Sequence, residues 1–134
     1  MPATATETFP IGSETDIVLV RQAVRSRTLA LGFSLVDQTK MITAASELAR
    51  NALHYGGGGT VAIETIEEGT RRGVRLTFED QGPGIPDIDR AMTDGFTTGE
   101  GLGLGLGGSR RLVNEFEIRS EVGRGTTVTI ARWK

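Results

Sequence analysis

The chain opens with two stretches in which apolar residues recur at helical spacing. The first begins after Ser13, whose hydroxyl suits a helix N-cap, and ends at Gly32. The second begins at Ser34 or Asp37 and continues to about Tyr55. The apolar faces of these two predicted helices comprise Ile17, Val20, Val24, Leu31, Met41, Ile42, Ala45, Leu48, Ala49, Ala52 and Leu53. Both helices are therefore expected to cover a common core.

Stretches in which apolar and polar residues alternate predict β-strands. Two central strands are predicted at 60–67 and 74–80, joined by a loop at 68–73, and two final strands at 116–122 and 126–133. Pro10 restricts a short strand at 8–11 to a sheet edge, because proline cannot donate to a strand ladder. Short helices are predicted at 87–92 and 105–114, and residues 1–6 are expected to be disordered.

This order of elements predicts the α+β class. The expected architecture is a two-layer α/β sandwich, in which helices cover one face of a mixed, mostly antiparallel sheet. No linker or internal repeat divides the sequence, so a single domain spanning residues 1–134 is predicted.

Composition excludes several classes of function. Apolar residues make up 37% of the chain and charged residues 24%, as in a globular domain. The formal net charge of −2 gives no basic surface for nucleic acid. The absence of cysteine excludes disulfides and thiolate metal sites. With no apolar run of membrane-spanning length and no secretion signal, we expect a cytoplasmic protein without nucleic-acid or membrane partners.

Glu47 and Asn51 are four residues apart on the second predicted helix, so they share one face. An asparagine oxygen can ligate Mg²⁺, and a glutamate can accept a proton from an attacking hydroxyl. The alternative is an ordinary pair on a solvated helix surface, and for these two residue types alone that alternative is favoured.

Asp80 ends a predicted strand and is followed by Gly82-Pro83-Gly84. A carboxylate in that position can accept a hydrogen bond from an exocyclic amine such as that of adenine, and the glycines allow close approach of the backbone. The alternative is a turn in which the aspartate caps loop amides, which spacing alone favours slightly.

Residues 99–108 contain six glycines. Such a segment exposes backbone N–H groups, and a helix that follows it directs its N-terminus at an anion, so a triphosphate is the expected occupant. The sequence has no Walker A motif. A G-x-G-x-x-G match at 103–108 lacks the preceding strand of a Rossmann site and is discounted. His54, the single histidine, is a structural or surface residue, or it contacts a phosphate near the helix end.

Taken together, these motifs resemble the N, G1 and G2 boxes of the GHKL ATPases, which share the Bergerat nucleotide fold. The boxes are Glu47-x-x-x-Asn51, Asp80-x-Gly82-x-Gly84 and the glycine repeat, and Gly123-x-Gly125-Thr126 is similar to the final Gly-x-Thr box. The family's Gly-Leu-Gly-Leu is aligned with 103–106, which places the run that begins at Arg110 in the following helix. A frame two residues away also fits the repeat.

Within this group, the stretches ELARNALHY, EDQGPGIPDI, DGFTTGEGLGLGL and RRLVNEF are similar to the anti-sigma-type serine/threonine kinases, in particular to switch kinases of the RsbT type in the bacterial stressosome. The resemblance implies that Glu47 is the catalytic base, Asn51 holds Mg²⁺ and Asp80 binds adenine. It also implies that the remaining ATP contacts come from Tyr55, Gly82, Gly84, Ile85, Thr98, Gly99, Gly101, Leu102, Gly103, Leu104, Gly105, Leu106 and Thr126.

The same resemblance implies a transferase of signal transduction that uses ATP and Mg²⁺. Its substrate would be a serine or threonine of a STAS-domain protein, and the released kinase would activate a PP2C-type phosphatase, as in partner switching during a stress response. Three alternatives stay open. One is a non-catalytic, nucleotide-dependent binding module, such as an anti-sigma factor or a phosphatase activator. Another is the catalytic fragment of a histidine kinase. The third is simple ATP hydrolysis, in which phosphate is released without an acceptor protein.

Overall fold

The computed structural model describes residues 3–88, Met92 and residues 106–134, with side chains described from residue 6. In chain order the elements are β1 (Ala3–Ile11), α1 (Glu14–Ala30), α2 (Leu35–His54), β2 (Gly59–Glu68), β3 (Arg71–Asp80), α3 (Leu106–Arg111), β4 (Glu115–Glu121) and β5 (Gly125–Trp133). None of the helices in these ranges is long and apolar enough to cross a membrane.

The described strands form one sheet in the order β1-β2-β3-β5-β4. The helices lie on one face of this sheet, and the predicted α+β sandwich is confirmed. All four pairings between the described strands are antiparallel, so the parallel component of the predicted mixed sheet is absent from this part of the chain. Each connection between neighbouring β2 and β3, or β4 and β5, is a hairpin, which can only produce antiparallel pairing.

The core lies between the helices and the inner face of the sheet. Its helical side is formed mainly by the positions predicted from the apolar pattern, including the fully buried Val20, Val24 and Met41. Leu31, Ile42 and Leu53 are only partly buried and pack against its margin. The inner face of the sheet contributes Val61, Ile63, Leu76, Phe78, Val128 and Ile130. Each of these residues removes apolar surface from water and stabilises the contact between the two layers.

Side-chain hydroxyls fix the start of each long helix. Ser13 accepts a hydrogen bond from the Asp16 N–H at 3.2 Å, and Ser34 accepts one from the Asp37 N–H at 3.1 Å. Each cap satisfies a backbone donor that the helix leaves unpaired, which stabilises a helix by about 1 kcal/mol. The second helix therefore begins after Ser34, and Asp37 lies in its first turn.

The prediction that residues 1–6 are disordered is wrong for the described part of that segment. β1 begins at Ala3 and pairs with β2 from Ile66 to Gly59. β2 would otherwise present an unpaired edge, and the free backbone groups of that edge are a template for a further strand. Glu7 also forms an ion pair with Arg27 of α1, which ties β1 to the helical layer. Pro10 lies in an edge strand, as predicted.

The prediction of a loop at 68–73 is also wrong, because only Gly69 and Thr70 separate β2 from β3. Glu68 pairs with Arg71, and Glu67 pairs with Arg72 in the strand register. Opposite charges therefore face each other across the hairpin, at 3.6 Å and 3.5 Å, and such pairs favour continued strand pairing. Arg71 also lies over the ring of Trp133, 4.1 Å from its centroid.

The remaining elements depart from prediction only at their ends. α3 ends at Arg111, three residues before the predicted end, and β4 and β5 begin and end within one residue of their predictions. Of the short helix predicted at 87–92, the structure describes the hydrogen bond from the Met92 N–H to the Ile88 carbonyl, at 2.9 Å, while residues 89–91 lie outside the described part.

Candidate nucleotide site

A pocket lies where α2, the adjacent ends of β3 and β5, and the start of α3 meet. It brings together six of the predicted site residues with four apolar side chains. The lining residues are Leu48, Asn51, Ala52, Tyr55, Phe78, Asp80, Ile85, Leu106, Thr126 and Val128. Polar groups thus converge from both layers on a partly apolar cleft, which is the usual character of a small-molecule site.

α2 contributes Asn51 to the pocket, and Tyr55, the C-cap of α2, also lines it. The Asn51 Nδ2 atom is buried and has no hydrogen-bond partner among the residues that the structure describes. A buried unpaired donor costs about 1–3 kcal/mol, so this amide is better suited to a bound ligand than to the structure without one. Rotation about χ2 exchanges its nitrogen and oxygen, so the same side chain can present either atom.

Glu47 lies one turn before Asn51 on α2 but is not among the described lining residues of the pocket. Its side chain is 35% exposed, and its Oε1 atom accepts a hydrogen bond from Arg50 Nη1 at 3.0 Å. The predicted base is therefore beside the site, in contact with water and with a cation from its own helix.

Asp80, the last residue of β3, is partly buried at the opposite side of the pocket. Burial raises the pKa of its carboxyl above the ordinary value of 3.8, because desolvation disfavours the charged form. The backbone N–H groups of Gly82 and Thr126 donate to the carboxylate and lower its pKa, but they offset burial only in part. Such a carboxylate gains from a ligand that brings it a further hydrogen-bond donor.

The turn after Asp80 is fixed by two hydrogen bonds and by a close approach to the backbone of β4. The Gly82 N–H donates to Asp80 Oδ1 at 2.9 Å, and the Tyr55 hydroxyl donates to the Gly84 carbonyl at 2.8 Å. Gly84 has φ +79°, and a Cβ there would lie 2.2 Å from the Glu121 carbonyl oxygen, so only glycine fits. Of the predicted turn residues, Ile85 lines the pocket, and Gly82 and Gly84 belong to the bonded turn that holds it there.

Two residues of this region were missed by the sequence analysis. Gly56 follows α2, and a Cβ there would lie 2.4 Å from Asp80 Cγ, so this glycine makes room for the carboxylate. Its signal is the run of four glycines at 56–59, directly after the predicted helix end at Tyr55. Ser120 lies in β4 and contacts both Ile85 and Thr126. Its signal was a polar residue at an inward position of an alternating strand, in line with Phe116 and Ile118.

The remaining predicted residues differ in where they lie. His54 is half-exposed and its Nε2 atom lies 2.7 Å from Glu14 Oε1, so its described partner is a carboxylate of α1. Leu106 is buried in the pocket at the start of α3. Seven predicted ATP contacts lie outside the described residues, namely Thr98, Gly99, Gly101, Leu102, Gly103, Leu104 and Gly105.

The side chains near the pocket offer few ligands for Mg²⁺. Within the described ranges, no three His, Cys, Asp or Glu side chains are grouped to hold a metal ion by themselves. Proteins commonly bind Mg²⁺ through one or two oxygens, while water and substrate phosphates complete the coordination. The single amide of Asn51 therefore fits a magnesium ion that enters with a nucleotide, and it does not fit a metal held by protein ligands alone.

The described fold is that of a GHKL-type ATP-binding domain, with the pocket between helices and sheet. In agreement, the family model described as "Histidine kinase-, DNA gyrase B-, and HSP90-like ATPase" matches residues 36–134, and the chain belongs to this family.

Among curated proteins, the chain is 47% identical over 123 residues to the serine/threonine-protein kinase RsbT of Bacillus subtilis, covering 92% of each chain. It is 34% identical over 120 residues to the anti-sigma F factor of Geobacillus kaustophilus, covering 84% of this chain and 80% of that protein. The resemblance stated from the motifs is thereby confirmed.

Solved structures agree on the fold. The RsbU and RsbW domains of Rv1364c from Mycobacterium tuberculosis align with a TM-score of 0.65 at 21% identity, covering 98% of this chain and 33% of that one. The mycobacterial sensor histidine kinase MprB aligns with a TM-score of 0.57 at 19% identity, covering 96% and 97% of the two chains.

Proposed function

We propose that this protein is an ATP-dependent serine/threonine kinase that phosphorylates a separate STAS-domain protein. After transfer, the released kinase binds and activates a PP2C-type phosphatase, within a cytoplasmic partner-switching pathway of the stressosome kind. The observation that carries the proposal is the placement of Asn51 and Asp80 in one pocket, with Glu47 one helical turn away, in a chain that is 47% identical to a serine/threonine-protein kinase over 92% of its length.

In this proposal Asp80 binds the adenine amine, and the fixed turn of Gly82, Gly84 and Ile85 limits where the base can lie. Phe78 and Val128 exclude water from the base. A bound Mg²⁺ would offset the negative charge of the phosphates. Asn51 would supply an oxygen to that ion, and the Tyr55 ring would flank the ribose or phosphates.

Glu47 lies one helical turn from Asn51, or about 6 Å along the axis. We assign Glu47 the role of the general base, which accepts the proton of the substrate hydroxyl. Its partial exposure allows a docked protein to reach it, and the Arg50 hydrogen bond holds Oε1 on the helix surface and leaves Oε2 for the substrate. Thr98, Gly99, Gly101, Leu102, Gly103, Leu104 and Gly105 remain predicted ATP contacts, and the glycines among them are the predicted phosphate contacts.

Replacing Glu47 by glutamine tests this assignment. We expect phosphoryl transfer from γ-labelled ATP to a STAS-domain protein to fall by about 100-fold or more, because a positioned base contributes that much. ATP affinity measured by calorimetry should stay within about twofold, because Glu47 is not among the described lining residues of the pocket and glutamine has nearly the same size as glutamate.

Glu68→Gln is the matched control, because Glu68 is an exposed glutamate at the far end of β2. It should leave transfer unchanged. Transfer by Glu47→Gln at the wild-type rate would show that Glu47 is not the base. ATP binding by the wild-type protein without transfer to any STAS protein would instead favour the nucleotide-dependent binding module that the sequence leaves open as an alternative.

A further inference from the structure

Ser120, Thr126 and Asp80 lie side by side on three neighbouring strands. In the strand register, Ser120 of β4 pairs with Thr126 of β5, and Thr126 pairs with Asp80 of β3. Directly paired residues point to the same face of a sheet, so this row lies on the inner face, where the pocket is. Ser120 is the member of the row that is not among the described lining residues of the pocket.

The Ser120 hydroxyl makes three hydrogen bonds, which use its full capacity. It accepts from the Ile85 N–H at 2.7 Å, donates to the Gly125 carbonyl at 3.1 Å and lies 2.8 Å from Thr126 Oγ1. A hydroxyl has one proton and two lone pairs. Because the hydroxyl has only one proton, all three contacts are satisfied together only when that proton lies on Gly125 and the Thr126 hydroxyl donates to the remaining lone pair, and we take this arrangement.

This arrangement fixes what Thr126 offers to a ligand. Its only hydroxyl proton is directed at Ser120, so the oxygen that remains available in the pocket is an acceptor. Asp80, its neighbour in the row, is also an acceptor. Two adjacent acceptors complement an exocyclic amine, which has two protons, and they repel a carbonyl oxygen at the same position.

Ser120 also positions the other wall of this part of the pocket. Ile85 is 6% exposed and lines the pocket, and its N–H is held by Ser120. The Gly123 N–H donates to the Pro83 carbonyl at 2.9 Å, so the β4–β5 hairpin contacts the turn at two points. Loss of the Ser120 hydroxyl would leave the Ile85 N–H unpaired. It would also let the Thr126 hydroxyl rotate and point its proton elsewhere.

We infer that Ser120 is a positioning residue that makes the site selective for 6-amino purines over 6-oxo purines. It acts through Thr126 and Ile85 and does not contact the base. The inference rests on the proposed adenine-binding role of Asp80 and goes beyond it, because it concerns how the neighbouring hydroxyl is oriented.

The experiment compares ATP with inosine triphosphate, which carries an oxygen in place of the amine. Calorimetric dissociation constants are measured with Mg²⁺ for wild type, Ser120→Ala, Ser120→Thr and Ser46→Ala. Ser46 is a partly buried serine of α2 whose hydroxyl bonds the Ile42 carbonyl, so it is a matched control. We expect Ser120→Ala to weaken ATP binding about tenfold and inosine triphosphate binding by much less. Ser120→Thr and Ser46→Ala should keep the ATP affinity of the wild type, and also its ratio of the dissociation constants for inosine triphosphate and ATP.

Equal weakening of both nucleotides, or no weakening, in Ser120→Ala would overturn the inference, because a purely structural serine would not change the ratio. If Ser120→Ala does not fold, Thr126→Val removes the oriented hydroxyl with little change of shape, and an unchanged ratio in that variant overturns the inference equally. Failure of the wild-type protein to bind ATP would instead refute the proposed nucleotide site itself.

Discussion

Asp80 shows how a single residue can be arranged for a ligand at some cost to the fold. Since the pKa of its folded form is raised, the folded state binds this proton more tightly than the unfolded chain does. Its contribution to stability is therefore favourable at low pH. That contribution declines as the pH rises from the ordinary value of 3.8 through the raised pKa, so at neutral pH the charged form is a liability.

Asp80→Asn should therefore have opposite effects on stability and on binding. We expect a higher midpoint of thermal unfolding at neutral pH without nucleotide, because a desolvated charge is removed. ATP affinity should fall by about 10- to 100-fold, because a hydrogen bond to a charged group is worth about 1.5–3 kcal/mol. Scanning calorimetry and titration calorimetry measure the two effects.

The neighbouring exposed residue provides the control, since Glu79→Gln removes a charge of the same sign without touching the pocket. It should change neither quantity appreciably. A lower unfolding midpoint in Asp80→Asn would mean that Asp80 is mainly a structural cap of the turn, the alternative that spacing alone favoured.

Arg132 connects three elements of the molecule. From β5 it donates to Asp37 Oδ1, in the first turn of α2, at 2.6 Å, and to the Leu112 carbonyl, just after α3, at 2.8 Å. The hydrogen bond from Arg132 holds the pKa of the Asp37 carboxyl below its ordinary value of 3.8. The ion pair therefore stabilises the fold above that pH, and its contribution is lost as the pH falls through the lowered pKa.

Asp37→Asn should remove this acid-dependent part of the stability. At neutral pH we expect the free energy of unfolding to fall by about 1–2 kcal/mol, because a charge-assisted bond to a mostly buried guanidinium is weakened. Urea unfolding at a series of pH values should show the wild type and the variant converging below pH 3.8.

The exposed pair of Glu117 and Arg119 gives a contrast, since both side chains are largely in water. Glu117→Gln should change the free energy of unfolding by less than about 0.5 kcal/mol, as most surface pairs do. A gap between Asp37→Asn and wild type that is the same at every pH would exclude titration of Asp37 as its source.

These elements also show what a sequence can predict here. Helix starts at Ser13 and Ser34 and the apolar faces follow from local chemistry, and Asp80, Asn51 and Thr126 follow from motifs whose order matches a family. The length of β1 and the tight β2–β3 turn depend on which strand offers a free edge and which charges face each other. Ser120 and Gly56 act through partners that are distant in sequence, and such pairings are known only once the strand register is known.

At the scale of the whole molecule, the pocket joins both layers of the sandwich. Its lining comes from α2, β3, α3, β5 and the turn after β3, so a ligand there contacts groups that are together only in the folded protein. Binding that is restricted to the folded state stabilises the entire domain through mass action.

We therefore expect Mg²⁺ and ATP, at a concentration 100 times the dissociation constant, to stabilise the protein by about 2.7 kcal/mol. For a domain of this size, that corresponds to a rise of about 8 °C in the unfolding midpoint. Differential scanning calorimetry measures the rise, and Asp80→Asn should abolish most of it. An equal rise with inorganic triphosphate alone would show that the effect does not come from the base pocket.

The placement of two aromatic side chains has an optical consequence. The sequence contains one tyrosine and one tryptophan. Tyr55 is bonded to the turn at the pocket, whereas Trp133 lies at the end of β5, where its ring is covered by Arg71 and its Nε1–H donates to Glu115. Fluorescence excited at the red edge of the absorption band therefore comes from Trp133 alone and follows the opening of the sheet. Tyrosine emission and near-ultraviolet dichroism include the nucleotide end, so the native protein carries two intrinsic reporters at separate places.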